Sequence, residues 1–101
     1  MRFVIKGPLK NSIFNLMREL GYHFLGENED EGVKEFNFVH QLGRDSYPRF
    51  HVFLKNNKGD LFLNLHLDQR KTVYKGARAH ANEKEGELVE DETKRIKNYF
   101  K

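Results

Sequence analysis

Cysteine and tryptophan are absent from the 101 residues, proline occurs twice, and serine is confined to Ser12 and Ser46. Without cysteine there is no disulfide scaffold, no thiolate zinc site and no thiol nucleophile. Neither serine sits in a Gly-x-Ser-x-Gly elbow or pairs with lysine at motif spacing, which argues against a serine hydrolase. No unbroken apolar run exceeds three residues, as at Phe3–Ile5, so no segment has the length of a membrane-spanning helix. Nothing after Met1 has the apolar core of a signal peptide, and the expected location is the cytoplasm. The chain also lacks a phosphate-binding glycine loop, a dinucleotide fingerprint, a His-Glu-x-x-His pair and calcium-loop spacing. What it does have is nine phenylalanines, 38% hydrophobic and 33% charged residues, and a formal charge of +3. That mixture belongs to a globular chain rather than a disordered one. With no repeat and no linker composition, residues 1–101 read as a single domain, able to bury roughly two-thirds of its unfolded surface.

The pattern along the chain predicts a β-α-β-β-β-β-α order. Arg2 to Lys6 is short and β-branched and is stopped by Gly7-Pro8, which reads as a strand. Leu9, Ile13, Leu16, Met17 and Leu20 line one face of a helix that Gly21 would end; Gly7-Pro8, Asn11 or Ser12 could begin it. Tyr22 to Leu25 reads as a strand, Glu27 to Gly32 as a turn, and Lys34 to His40 as an alternating strand with Phe36 and Phe38 on one face. After a loop from Gln41 to Tyr47, Arg49 to Leu54 and Leu61 to Leu67 flank Asn56-Asn57-Lys58-Gly59-Asp60 as a hairpin. Pairing Leu54 with Leu61 would set Val52 against Leu63 and Phe50 against Leu65 on an apolar face. The opposite face would then carry Phe53 with Phe62, His51 with Asn64, and Arg49 with His66. A helix from about Glu87 to Phe100 completes the chain, with Val89, Ile96 and Phe100 on its apolar side. Its acidic first turns and basic end suit the helix dipole and read as a solvated face. The sum is an α+β two-layer sandwich, a largely antiparallel sheet with both helices on one face.

Charge is divided along the chain. Residues 19–35 carry six acids and one base, whereas residues 44–82 carry eight bases and three acids, net +5. A basic zone is what a polyanion requires, since phosphate neutralisation supplies much of the affinity for nucleic acid; ordinary solubility is the bland alternative. The stretch from Asp68 to Glu85 is long for a loop in so small a domain, and such loops commonly bind or catalyse. It holds Arg70, Lys71, Tyr74, Lys75, Arg78 and His80 among small residues. The cations would hold phosphates and the tyrosine would stack on a base; a flexible, functionless loop has the same composition.

The histidines form the sharper set. On the paired strands His51 and His66 share the non-apolar face, Asp68 follows on the same side, and His80 lies on the basic loop beyond. Three chemistries are open to them. Imidazoles titrate near neutrality, so His51 could act as general base and His66 or His80 as acid on a phosphodiester. The same His51, His66, Asp68 and His80 could ligate zinc or another divalent metal, or they could simply hydrogen-bond across the sheet. His23 and His40, beside aromatics, read as structural.

From Leu9 onward, the order helix, strands, helix resembles the double-stranded-RNA-binding-domain architecture. It is similar in particular to the HicA-type mRNA interferases of bacterial toxin–antitoxin systems. The residues carrying the likeness are Arg18-Glu19-Leu20-Gly21-Tyr22, Arg49-Phe50-His51-Val52-Phe53 and Leu65-His66-Leu67. The resemblance implies a metal-free ribonuclease with one strand histidine, which would be His51. Two departures stand against it: the family's Gly-Ser-His reads Arg49-Phe50-His51 here, and the chain has an additional N-terminal strand and hairpin strand.

The expectation is therefore a small domain that binds nucleic acid, RNA in preference, with no cofactor. Arg49, Arg70, Lys71, Lys75 and Arg78 would meet phosphates, and Tyr74 a base. One alternative is a protein that binds a metal or small anion through its histidines. Another is a protein-interaction module that offers a sheet edge to a partner.

Overall fold

The computed structural model describes residues 1–69 and 82–101. Its elements are β1 (Arg2–Ile5), α1 (Ile13–Glu19), β2 (His23–Asp30), β3 (Val33–Gln41), β4 (Arg49–Asn57), β5 (Asp60–Asp68) and α2 (Asn82–Tyr99). The strands form one antiparallel sheet in the order β1-β5-β4-β3-β2, so the N-terminal strand joins the meander at its far edge. Every second residue of the central strands points to one side. Phe50, Val52 and Leu54 of β4 and Leu61, Leu63 and Leu65 of β5 are buried there with Phe3, Ile5 and Phe38. Ile13 and Met17 of α1 and Ile96 of α2 complete that core, which puts both helices on the same face, with the other covered by neither. The α+β class and the element order match the sequence reading.

Local chemistry sets the helix ends. Ser12 caps α1, its hydroxyl accepting from the Asn15 amide at 3.2 Å. Gly21, at φ 97°, closes the other end. The Gly21 amide donates to the Arg18 carbonyl and the Tyr22 amide to that of Met17, both at 2.9 Å, a Schellman closure that turns the chain into β2.

Three boundaries differ from the sequence reading. The β4–β5 hairpin is tighter: Lys58 and Gly59, at φ 55° and 91°, make a two-residue turn whose twist matches that of the strands. Consequently Leu54 opposes Leu63, Val52 opposes Leu65 and Phe50 opposes Leu67, two residues from the expected pairing. A shift of two preserves which side each residue faces, so the apolar face is intact while its partners change. The polar stretch Glu27 to Asp30 is strand, and only Glu31-Gly32, at φ 53° and 78°, turns the chain. Helix α2 begins at Asn82, not Glu87, which shortens the preceding connection.

A polar cluster ties the helices together. The Tyr22 hydroxyl donates to Glu92 at 2.6 Å, and Arg95 donates to both oxygens of that carboxylate at 2.7 and 2.9 Å and to the Leu20 carbonyl at 2.7 Å. Glu92, in the acidic stretch expected on a solvated face, is buried and pairs with Arg95. Burial, reinforced by the Glu92 carboxylate, pushes the Tyr22 hydroxyl far above its ordinary value. His40 packs edge-on against Tyr22 at 5.2 Å, in the structural role read for it, and burial pulls its imidazole below the ordinary value.

Gly7 lies where β1 meets the β4–β5 turn. A Cβ placed there would fall 2.0 Å from the Gly59 carbonyl oxygen, and the Gly7 amide donates to Asp60 at 2.9 Å. Two backbones would have to separate, so Gly7→Ala is expected to cost about 2 kcal/mol, as other overpacking changes do. Urea denaturation measures this; a change within about 0.5 kcal/mol would contradict so close a backbone approach.

Candidate nucleic-acid interface

The site is built on the face of the sheet opposite α1 and α2. The β4–β5 register sets His51 directly opposite His66 and Arg49 opposite Asp68, where the sequence reading had paired His51 with Asn64 and Arg49 with His66. Arg49, His51, His66 and Asp68 therefore stand together. One Asp68 oxygen accepts from Arg49 Nε at 3.2 Å and faces His51 Nδ1 at 3.0 Å. The second ring nitrogen of His51 faces the side-chain oxygen of Asn37 on β3 at 3.0 Å.

The hydrogen bonding runs further across the sheet. Asn37 Nδ2 donates to Asn28 Oδ1 on β2 at 2.8 Å, and Asn28 donates in turn to Glu35 at 3.1 Å. Asp68 and Asn37 thus meet the His51 ring at its two nitrogens, and Arg49, Asn28 and Glu35 extend the network to four strands. The contacts with Asp68 and Asn37 fix the orientation of the ring. His66 is the more exposed imidazole. Partial burial, with the nearby N-terminal ammonium, lowers its pKa, which favours a neutral ring able to accept a proton.

Aromatic side chains interleave with these groups. Phe53 stacks on His51 with ring centroids 4.2 Å apart and planes 19° from parallel, and His66 meets the same phenyl edge-on at 5.6 Å. Phe62 projects into solvent, 42% exposed, and Val4 on β1 beside it is exposed as well. Arg2, Arg49 and Lys55 rim this face. Lys55 is bound to Asp30 at 2.6 Å, and that hydrogen bond raises its pKa.

Of the residues singled out from the sequence, Arg70, Lys71, Tyr74, Lys75, Arg78 and His80 lie outside the described residues. Strand β5, which leads into them, ends at Asp68 beside Arg49. Among the described residues, no three His, Asp or Glu side chains converge as a metal ion would need. The ligand set expected from sequence also included His80. No helix among the described residues is long and apolar enough to cross a membrane.

The sequence reading missed Asn37, which meets His51, Asn28, which meets Asn37, and the contributions of Lys55 and Arg2 to the rim; it had placed Phe62 on this face with Phe53. Parity could have found Asn37: it lies between the inward-facing Phe36 and Phe38, so it must face the same side as His51.

Fold and site together define an α+β sandwich with one open, aromatic- and histidine-bearing sheet face. Comparison with protein-family models, with curated proteins and with solved structures gave no match.

Proposed function

We propose that this protein binds single-stranded nucleic acid, RNA in preference, across the open face of its sheet. The supporting observation is the Phe53–His51 stack, 4.2 Å between centroids, on a face that neither α1 nor α2 covers and that Phe62, Arg2 and Arg49 flank. Flat rings on an open antiparallel sheet offer sequence-tolerant stacking surfaces to unpaired bases. Cations along the strands meet the backbone phosphates. The distance suits the task. Arg49 and Lys55 are six residues apart on one strand, about 20 Å at ~3.3 Å per residue, room for a few extended nucleotides.

The described part of the face is close to charge-balanced, because Arg49 and Lys55 are paired with Asp68 and Asp30. The surplus positive charge comes from residues 70–78, whose sequence holds Arg70, Lys71, Lys75 and Arg78. Stacking is therefore assigned to the sheet, and phosphate neutralisation largely to that segment and Arg2. Binding is favoured over cleavage, because both nitrogens of His51 are committed to Asp68 and Asn37.

Fluorescence anisotropy with a labelled eight-nucleotide RNA tests the reading. Phe53→Ala is expected to weaken binding about tenfold, the worth of one base–aromatic stack. Binding that is undetectable for the parent protein, or unchanged by Phe53→Ala, would overturn it.

A further inference from the structure

One end of the open face is hollow. Where β1, β5 and β4 run beneath the tip of the β2–β3 hairpin, a pocket of about 450 Å³ opens, walled by Phe53, Phe62, Val4, Arg2, Lys55 and Glu35. Asp30 and Glu31, at the hairpin tip, close its other side. The hairpin is brought over the sheet by the Lys55–Asp30 contact at 2.6 Å, which joins β4 to β2 across the intervening strand. The volume falls within the range of small-ligand sites.

The lining combines three kinds of recognition. Phenyl rings from β4 and β5 offer stacking surfaces. Arg2 stands at the rim, with no side-chain partner among the described residues, and can meet a phosphate. The Glu31 carboxylate, and the Glu35 oxygen that does not accept from Asn28, are wrong for phosphate and right for hydrogen-bond donors on a base edge.

Resting on the RNA-binding reading above, we infer that this pocket holds one base of the bound strand and selects guanine. The selection follows from where donors lie on the Watson–Crick edge. Guanine presents an N1–H and an amino group side by side, so a single carboxylate can accept from both. Adenine and cytosine each present one amino group next to an acceptor. Uracil presents one N–H between two carbonyls that repel a carboxylate. The expected order is guanine, then adenine and cytosine, then uracil.

The experiment is fluorescence anisotropy with a five-nucleotide oligouridine and with three versions carrying guanosine, adenosine or cytidine at the centre. The parent chain is expected to bind the guanosine oligomer about tenfold more tightly than the all-uridine one, the weight of one bidentate contact. The doubly substituted Glu31→Gln/Glu35→Gln chain keeps the shape of both side chains and is expected to lose that preference. Phe62→Ala, at an exposed position, is expected to weaken all four oligomers alike. Equal affinity of the parent chain for all four overturns the pocket assignment and leaves the RNA reading standing. A guanosine preference that survives the double substitution also overturns it. Absence of binding to any oligomer removes both.

Discussion

Reversing Arg70 and Lys71 to glutamate together is expected to weaken RNA binding at least about a hundredfold near 0.15 M salt. The double change removes four units of positive charge from a zone whose net charge is +5, leaving it nearly neutral. On the open face itself Arg49 and Lys55 already have carboxylate partners, so the remaining attraction for phosphates comes from Arg2, Lys75 and Arg78. If both side chains meet phosphates, the slope of log affinity against log salt should also flatten by about 1.4, near 0.7 per contact for a single strand. Anisotropy titrations at several salt concentrations measure both quantities. An unchanged affinity and slope would place the phosphate contacts elsewhere.

Arg95→Met is expected to be the most destabilising single change outside the apolar core, at about 3 kcal/mol. Arg95 itself is 44% exposed at the side chain and its charge is screened, so the pair as such contributes little. The cost lies with its partner: the Glu92 side chain is only 6% exposed, and without the guanidinium it keeps, among the described residues, only the Tyr22 hydroxyl as a donor. Leu20 also loses the group that satisfies its carbonyl at the end of α1. Replacing the whole cluster with apolar groups, as Tyr22→Phe/Glu92→Leu/Arg95→Met, should recover much of the loss, because no charge is then left buried. Urea titrations of the two chains decide the matter. A loss below about 1 kcal/mol in Arg95→Met would show that the cluster does not hold α2 to α1.

The sheet was legible in the sequence wherever one face is greasy and the other polar. In β4 and β5 alternation assigned Phe50, Val52, Leu54, Leu63 and Leu65 to the core and His51 and His66 to the opposite side, as the structure has them. Alternation cannot count the residues in the turn. Asn56, Asn57 and Asp60 have turn chemistry and yet continue the ladder, which moved every pairing by two. Strand β2 escaped for a different reason. From Glu27 to Asp30 it projects beyond the core with both sides exposed, so it has no apolar period to read, and its paired state is set by β3 alone. Glu92 was misread because an acid near the start of a helix is usually solvated; only the packing of α2 against Tyr22 shows that it is enclosed. Within the site, the grouping of Arg49, His51, His66 and Asp68 followed from parity. The fixing of His51 by Asn37, and the hollow under the β2–β3 tip, depend on how the sheet curves.

Nuclear magnetic resonance mapping of a single-stranded RNA titration tests the central assignment most directly. The account predicts that Phe53, Phe62, His51 and His66 shift together and saturate together, while Leu16, Met17 and Ile96 on the helix side stay in place. Shifts confined to α1 and α2, or no shifts at RNA concentrations well above the protein's, would contradict it.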